Sequence, residues 1–312
     1  RMPSRKVYDQ LFKKGYKVDL DPYMKYDCMA NSNDLEALFE VLSSVQDKNG
    51  RNAIITANTI MANPDFEKIK NSEFTSYYFE HFTKTLERYG YNKAFEMWKE
   101  GIQNKLFYPQ FHGREHLNVF KWIQALSNGE KAVREAFDHG MISISLANPQ
   151  MHFDYMEALD FYSIEEMFLI SNIIEEGLEM FKSTFGFSSR SFIACCFVWD
   201  QSVEKVLSEF GVKFLQGVSQ QLVPQIEQHK GHYRKKLHYL GQRNHFNQIY
   251  MIRNAYFSPS SREVKDDIGY CLKRMGISFS MRKPVIISSH RLNFVGGIEV
   301  SNRDNNLKLF KQ

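Results

Sequence analysis

The chain has 312 residues, of which 43% are hydrophobic and 24% charged, and its formal net charge is +4. This composition excludes a disordered or fibrous protein, and the length provides ample material for a hydrophobic core. We expect a single domain that spans residues 1–312. No apolar run approaches the roughly 18 residues that a membrane-spanning helix needs, and residues 1–16 lack the apolar centre of a secretory signal peptide.

Cysteine usage indicates a reducing compartment. The cysteines are Cys28, Cys195, Cys196 and Cys271; they form no CxxC pair, and adjacent Cys195 and Cys196 cannot readily bridge each other. We therefore predict reduced thiols in a cytoplasmic protein. Because no basic partner is evident near Cys195 and Cys196 in the sequence, we interpret both as buried structural thiols.

Helix-like and strand-like segments alternate along the chain without a low-complexity linker. Apolar spacing predicts helices at 5–14, after Ser32 or Asn33, across 80–103 with a break at Gly90, at 164–181, after Asp200 or Ser202, and after Ser260. Strands are predicted at 53–57, 107–111, 191–196, 211–215, 248–253 and 284–289, with a loop at 63–65. Short apolar strands between helices predict an α/β fold in which helices cover both faces of a parallel sheet.

One segment stands out, Phe-Tyr-Pro-Gln-Phe-His-Gly-Arg-Glu-His at 107–116. Its histidines, His112 and His116, are four residues apart, and a helical pattern follows them. On the first turn of a helix two residues at this spacing share a face, so both imidazoles could bind one metal ion. Solvated surface histidines are the alternative, because ten histidines in 312 residues give about 0.3 such pairs by chance.

Polar side chains follow the ends of several predicted strands, which is where ligands bind in barrels and open parallel sheets. They are Asn58, His112, Arg253, Asn254 and His290. Loops are polar in general, but histidines after two different strands favour a functional site. We predict that Asn58, Arg253 and Asn254 bind substrate.

The order of elements and two histidine motifs resemble those of the NodB-type polysaccharide deacetylases, within the glycoside hydrolase/deacetylase barrel superfamily. That family has a distorted (β/α)7 barrel. Its His-(Ser/Thr)-x-x-His motif, whose histidines bind a divalent metal that is usually zinc, resembles residues 112–116 with Gly113 in place of the hydroxyl residue. Its late Leu-x-His motif, whose histidine is the general acid, resembles residues 287–290 without the leucine.

The resemblance implies metal-dependent deacetylation of an N-acetylated sugar in a polysaccharide or its precursor. His112 and His116 would bind the metal, expected to be Zn2+, and His290 would protonate the departing sugar amine. Neither a nucleic-acid partner nor a membrane span is expected. A glycosidase on a related barrel and a catalytically inactive carbohydrate-binding protein of the same fold are the alternatives.

The sequence departs from the family pattern in its first and third motifs. The family's first strand ends in Asp-Asp, which supplies the catalytic base and the third metal ligand, whereas the one Asp-Asp pair here, at 266–267, lies on a predicted helix. Because the chain begins with a helix, we expect the first barrel strand to be missing, with an exposed groove beside the strand at 53–57. Alternatively, Asp27 or a nearby acid takes the place of the family's Asp-Asp pair. The Arg-Pro third motif is reduced to Ser-Arg-Ser at 189–191.

Residues 229–238 are rich in histidine, lysine and arginine. Such a segment could attract an acidic glycan or nucleic acid, but it is more often a solvated loop or helix face. We assign it no function from the sequence.

Overall fold

The computed structural model describes residues 2–145, 154–226, 233–261 and 267–312. The helices are α1 (Arg5–Lys13), α2 (Pro22–Tyr26), α3 (Ser32–Ser43), α4 (Phe66–Asn71), α5 (Phe82–Arg88), α6 (Ala94–Gln103), α7 (Val119–Ser127), α8 (Lys131–Asp138), α9 (Ile164–Phe185), α10 (Gln201–Glu209), α11 (Asp267–Ser280) and α12 (Val300–Phe310). The strands are β1 (Ile55–Thr59), β2 (Ala62–Pro64), β3 (Phe79–His81), β4 (Phe107–Phe111), β5 (Ser191–Ile193), β6 (Phe214–Gly217), β7 (Gln220–Val223), β8 (Arg234–Leu237), β9 (Ile249–Ile252), β10 (Ala255–Tyr256) and β11 (Ile287–Ser288). Short 3-10 turns lie at Cys195–Phe197 and Arg291–Asn293.

Five strands form a parallel sheet in the order β1-β4-β5-β6-β9, which is also their order along the chain. Just past β9, strand β10 pairs in parallel with β11. This sequential order is typical of singly wound α/β folds, in which each crossover moves the chain one strand along in the same direction. The predicted α/β class is confirmed.

The two faces of the sheet have different chemistry. Phe111, Phe192, Leu215 and Tyr250 are register partners across four neighbouring strands, and they share one core cluster with apolar residues of α9 and α10. Their chain neighbours must point to the opposite face, because successive strand residues alternate. The second face therefore includes the polar side chains of these strands, and the helical cover of that face stays a prediction.

That second face carries a row of polar side chains on four adjacent strands. The Gln216 amide donates to Asn58 Oδ1 at 3.2 Å and to Ser191 Oγ at 2.9 Å. Gln110 Oε1 accepts from the backbone N–H of Ser191 at 2.7 Å. These hydrogen bonds link four neighbouring strands across the polar part of this face.

Helix α3 packs against both α6 and α12. It thus joins the helix that precedes β4 to the helix near the end of the chain. Its apolar face is the predicted one, since Leu35, Leu38, Phe39 and Leu42 are all buried. The N-cap is Asn31, one residue before the predicted candidates, and its side chain accepts from the Asp34 N–H in a reciprocal capping box.

Several predicted boundaries were wrong. Residues 62–64 form β2, paired with β3, where a loop was predicted. The last predicted strand, 284–289, is reduced to the two residues of β11, and Ile287 is 45% exposed. Helix α11 begins at Asp267, and the part of its predicted start at 262–266 lies outside the described residues. None of the helices in the described ranges combines the length and hydropathy needed to cross a bilayer.

Helix α9 approaches β4 closely at Gly177. A β-carbon there would lie 2.8 Å from Cζ of buried Phe111 and 3.0 Å from Cβ of Arg114. We expect Gly177→Ala to lower the free energy of unfolding, because overpacking costs about 1–3 kcal/mol and outweighs a gain in helix propensity of about 1 kcal/mol.

Gly276 in α11 is the matched control for this prediction. No atom lies within 4 Å of a β-carbon built at Gly276, so Gly276→Ala should leave stability unchanged or raise it by up to about 1 kcal/mol. Urea unfolding of both variants measures the difference. Equal effects of the two substitutions would contradict the close approach of α9 to β4.

Candidate metal centre

The loop that carries both histidines connects β4 to α7. The His112 N–H donates to the Thr59 carbonyl at 2.9 Å, which extends the β1–β4 pairing by one residue. The N–H of Met61 then donates to the Arg114 carbonyl, at 2.9 Å. Helix α7 begins only at Val119, so His112 and His116 lie in the loop that follows a strand and not on the first turn of a helix. A loop, and not helical spacing, brings them together.

Gly113 explains how this loop turns. Its φ is +112°, and an added β-carbon would lie 3.2 Å from the Glu115 carbonyl oxygen. Residues other than glycine rarely adopt this backbone conformation. The glycine that stands where the deacetylase motif has Ser or Thr is therefore required by the backbone of this loop.

His112 and His116 lie together, with ring centroids 5.0 Å apart and planes at 77°. Cys195 completes a group with them: the ring nitrogens and the sulfur all lie within 4.8 Å of one another. Cys195 follows β5, the neighbour of β4, so the three side chains come from the C-terminal ends of adjacent parallel strands. Such ends are the usual ligand-binding edge of an α/β sheet.

Hydrogen bonds orient His112 and Cys195 within this group of two histidines and a cysteine. His112 Nδ1 lies 2.7 Å from the Ile193 carbonyl; because a carbonyl only accepts, Nδ1 carries the proton and Nε2 presents its lone pair. This orienting bond to a backbone carbonyl is typical of metal-binding histidines. The Cys195 thiol donates to the His112 carbonyl at 3.6 Å, which ties the β5 turn to the histidine loop.

The backbone after Cys195 has an uncommon conformation. Cys196 and Phe197 have φ values of 53° and 57°, in the left-handed region that residues other than glycine seldom occupy. Burial, and to a smaller extent the Glu157 carboxylate, raises the pKa of the Cys196 thiol. Cys196 is therefore a neutral side chain, whereas Cys195 faces the histidines. Both were predicted to be structural thiols. The strand predicted at 191–196 included them, whereas β5 ends at Ile193 and leaves Cys195 two residues past a strand end.

Arg114 and Glu115, between the histidines, form a buried ion pair. Both Glu115 oxygens accept hydrogen bonds from the Arg114 guanidinium, at 2.6 and 2.5 Å. The side chain of Glu115 is 2% exposed and that of Arg114 is 7% exposed. A third guanidinium N–H donates to Glu176 on α9 at 2.5 Å. Because Glu176 lies on α9, this ion pair anchors the histidine loop to that helix.

We expect Arg114→Leu to destabilise the protein by about 3–5 kcal/mol, because Glu115 would remain buried without its countercharge. Burial already raises the pKa of Glu115, and Arg114 opposes that shift; without Arg114 the pKa rises further. The carboxyl of the unfolded chain ionises near about pH 4.3. The folded variant then holds a proton that the unfolded chain releases, so its stability falls as the pH rises above that value.

The measurement is urea unfolding of wild type and Arg114→Leu at about pH 5 and about pH 8. The deficit should be larger at the higher pH, and Arg114→Leu/Glu115→Leu should recover much of it. A deficit that is the same at both pH values, or that the second substitution does not reduce, would contradict a buried, ionised Glu115.

A buried acidic cluster lies next to the histidine loop. Asn118 caps α7, and its amide donates to the carbonyls of Glu157 and Asp160 at 3.3 and 2.8 Å. Lys121 on α7 contacts both carboxylates, with 3.0 Å to Glu157 Oε1, and the Tyr233 hydroxyl donates to Asp160 at 3.0 Å. Glu157 Oε2 is buried and accepts no hydrogen bond from the described residues.

Two further predicted residues share a neighbour. Burial lowers the pKa of Arg253, against the opposing effect of the Tyr256 and Tyr23 hydroxyls. The Tyr23 ring also meets His290 edge-on, with centroids 5.6 Å apart. His290 is exposed and lies two residues past the end of β11. The Tyr23 ring of α2 thus contacts His290, and its hydroxyl acts electrostatically on Arg253.

The remaining predicted residues have structural contacts. Asn58 lies within β1, not after it, and bonds to Gln216. Both ends of the Asn254 amide bond to backbone groups, namely the Pro284 carbonyl and the Ile286 N–H, at 2.9 and 2.8 Å. Asp27 is fully buried and pairs with Arg291 at 3.0 Å, so this salt bridge places it beside the turn that follows His290. Substrate binding by Asn58, Arg253 and Asn254 stays a prediction.

The donor set fits zinc. Two imidazoles and a thiolate are borderline-to-soft ligands that zinc accepts in tetrahedral sites, and three protein ligands leave one position open for a water or a substrate. In comparisons with known proteins, no family model matches the chain, and no curated protein matches it significantly. The inference about function therefore rests on the geometry and on the motif resemblance.

Proposed function

We propose that this protein is a metal-dependent carbohydrate N-deacetylase of the NodB type, on a (β/α)7-like barrel, with an N-acetylated sugar of a polysaccharide or its precursor as substrate. The observation that carries the proposal is the convergence of His112, His116 and Cys195 at the C-terminal ends of β4 and β5. The chain-order parallel sheet, with helices on one face and polar groups on the other, supports the barrel. We also propose a cytoplasmic location, as the cysteine usage indicates.

In this proposal His112 and His116 hold Zn2+, and Cys195 takes the place of the aspartate ligand of the family's first motif. The chemistry that a bound zinc supplies is polarisation of the acetyl oxygen and acidification of a water. The Ile193 carbonyl keeps the His112 ring in the tautomer that ligation needs. His290, protonated, donates a proton to the departing sugar amine.

A carboxylate base is also required, and we assign that role to Glu157. Asn118 holds its segment against the histidine loop, and Oε2 is buried without a hydrogen-bond donor among the described residues. Lys121 contacts the other oxygen at 3.0 Å, which fixes the orientation of the carboxylate. Glu157→Gln should keep the shape and remove the base, and should therefore lower turnover by roughly 10²–10⁴ without loss of metal.

The test is zinc content together with acetate release from N-acetylglucosamine oligosaccharides. Stoichiometric zinc and acetate release support the proposal, whereas new reducing ends without acetate would indicate a glycosidase. One observation favours a second candidate, a carbohydrate-binding protein without activity: among the described residues, the histidine group contains a cysteine and no carboxylate. Oligosaccharide binding without either product would identify that case.

A further inference from the structure

Residues 228–298 carry the positive charge of this protein. The stretch has thirteen Lys and Arg against three Asp and Glu, whereas the net charge of the whole chain is only +4. The rest of the chain is therefore net acidic. All three acids lie within 263–267, so the described ranges 233–261 and 268–298 contain basic side chains and no acidic ones.

Large apolar side chains are exposed in the same stretch. Leu272 and Phe279 of α11 are 55% and 62% exposed; seven residues apart, they lie two turns apart on one side of the helix. Met281, just past the helix, is 64% exposed, and Leu237 and Tyr239, at and after the end of β8, are 72% and 70% exposed. Contiguous exposed apolar surface of this kind commonly marks an interaction site.

The two segments meet in space. Tyr239 and Leu240 line a groove together with Ile277, Met281 and Lys283 from α11 and the residues after it. The basic residues of β8 at 234–236 are all exposed, and they precede Tyr239 of this groove by three to five residues. We call the residues 234–239 and 272–283 the basic-apolar surface.

We propose that the basic-apolar surface binds the face of an anionic lipid bilayer. Side chains such as Phe279 and Leu237 enter the boundary between headgroups and acyl chains, while lysines and arginines contact acidic headgroups. A soluble anionic polymer would satisfy the charges and leave the apolar side chains in water. A second copy of the surface would bring like charges together. Only an anionic bilayer complements both features, and this inference does not depend on the proposed deacetylation.

The test is co-sedimentation of the full chain with vesicles of phosphatidylcholine alone and with about one third phosphatidylserine. Binding should require phosphatidylserine and decline with salt. Lys235→Gln/Lys236→Gln should weaken it by about 25-fold, at about fivefold for each basic side chain lost. Phe279→Ser/Met281→Ser should weaken it by more than about tenfold.

Matched controls change the same residue types elsewhere on the surface. They are Lys48→Gln/Lys131→Gln and Phe168→Ser, all at exposed positions, and they should alter binding by less than about twofold. The proposal is overturned if the wild type does not bind phosphatidylserine vesicles, or if surface and control variants bind equally. It is also overturned if the protein does not bind vesicles but self-associates, and Phe279→Ser/Met281→Ser abolishes that self-association. Binding to heparin without binding to vesicles would overturn it as well.

Discussion

Replacing His112 with alanine is expected to lower zinc affinity by more than about 100-fold. Removing a group that only orients a metal ligand lowers metal affinity by about 10–100-fold. His112→Ala removes a ligand itself, together with its hydrogen bond to the Ile193 carbonyl. Cys195→Ser should have an effect of the same order, because a hydroxyl is a much poorer zinc ligand than a thiolate. Acetate release should fall to the background rate in both variants.

His139→Ala is the matched control for these variants. His139 is also half-buried, but it bonds to Glu135 on α8 and has no part in the histidine group. Competition titration with a chromophoric chelator gives the affinities, and circular dichroism verifies folding. Zinc affinity that is unchanged in Cys195→Ser but lost in His112→Ala would leave the histidines as ligands and exclude the cysteine.

His290→Ala is expected to cut turnover by roughly 10²–10⁴, the usual contribution of general acid catalysis, while zinc content stays the same. His290 follows β11 as His112 follows β4, and its ring packs on Tyr23 and not in the histidine group. A residue that protonates the leaving amine has to reach the sugar nitrogen and not the metal. The loss should be largest for substrates with poor, strongly basic leaving groups.

Two measurements separate this role from a structural one. The pH profile of kcat should lose its alkaline limb in His290→Ala, because the group that must be protonated is gone. His245→Ala, at another exposed histidine, should leave turnover unchanged. Normal deacetylation by His290→Ala, or loss of zinc from it, would remove His290 from the proposed mechanism.

The sequence predicted the apolar elements better than the loops between them. The strands that contain Phe111 and Leu215, and the long helix α9, were found because burial imposes a repeating pattern on their side chains. The hairpin β7–β8 was missed because β8 is exposed throughout and polar, so no such pattern exists. The loop backbone at His112 could not be predicted for a related reason: a glycine with positive φ, and not apolar spacing, determines its conformation.

The candidate site was predicted only in part. His112 and His116 could be paired from their spacing alone, even though the loop that joins them differs from the predicted helix. Cys195 lies 83 residues after His112 in the sequence, and the adjacency of β4 to β5 brings the two together. Glu157 lies 45 residues after His112, and the contact with Asn118 brings its segment to the histidine loop. Contacts across strands depend on topology, which a local pattern does not contain.

The chain order of the sheet has a consequence for biosynthesis. The ribosome synthesises the five strands of the sheet in the order in which they lie side by side, β1, β4, β5, β6 and β9. When each later strand is made, the strand that it pairs with has therefore already been synthesised. We expect the nascent chain to build the sheet by adding to one growing edge, without long exposure of unpaired strands to aggregation. The contacts of α12 with α3 and of Arg291 with Asp27 differ from this order, because each joins segments far apart in the sequence and needs both to have been made.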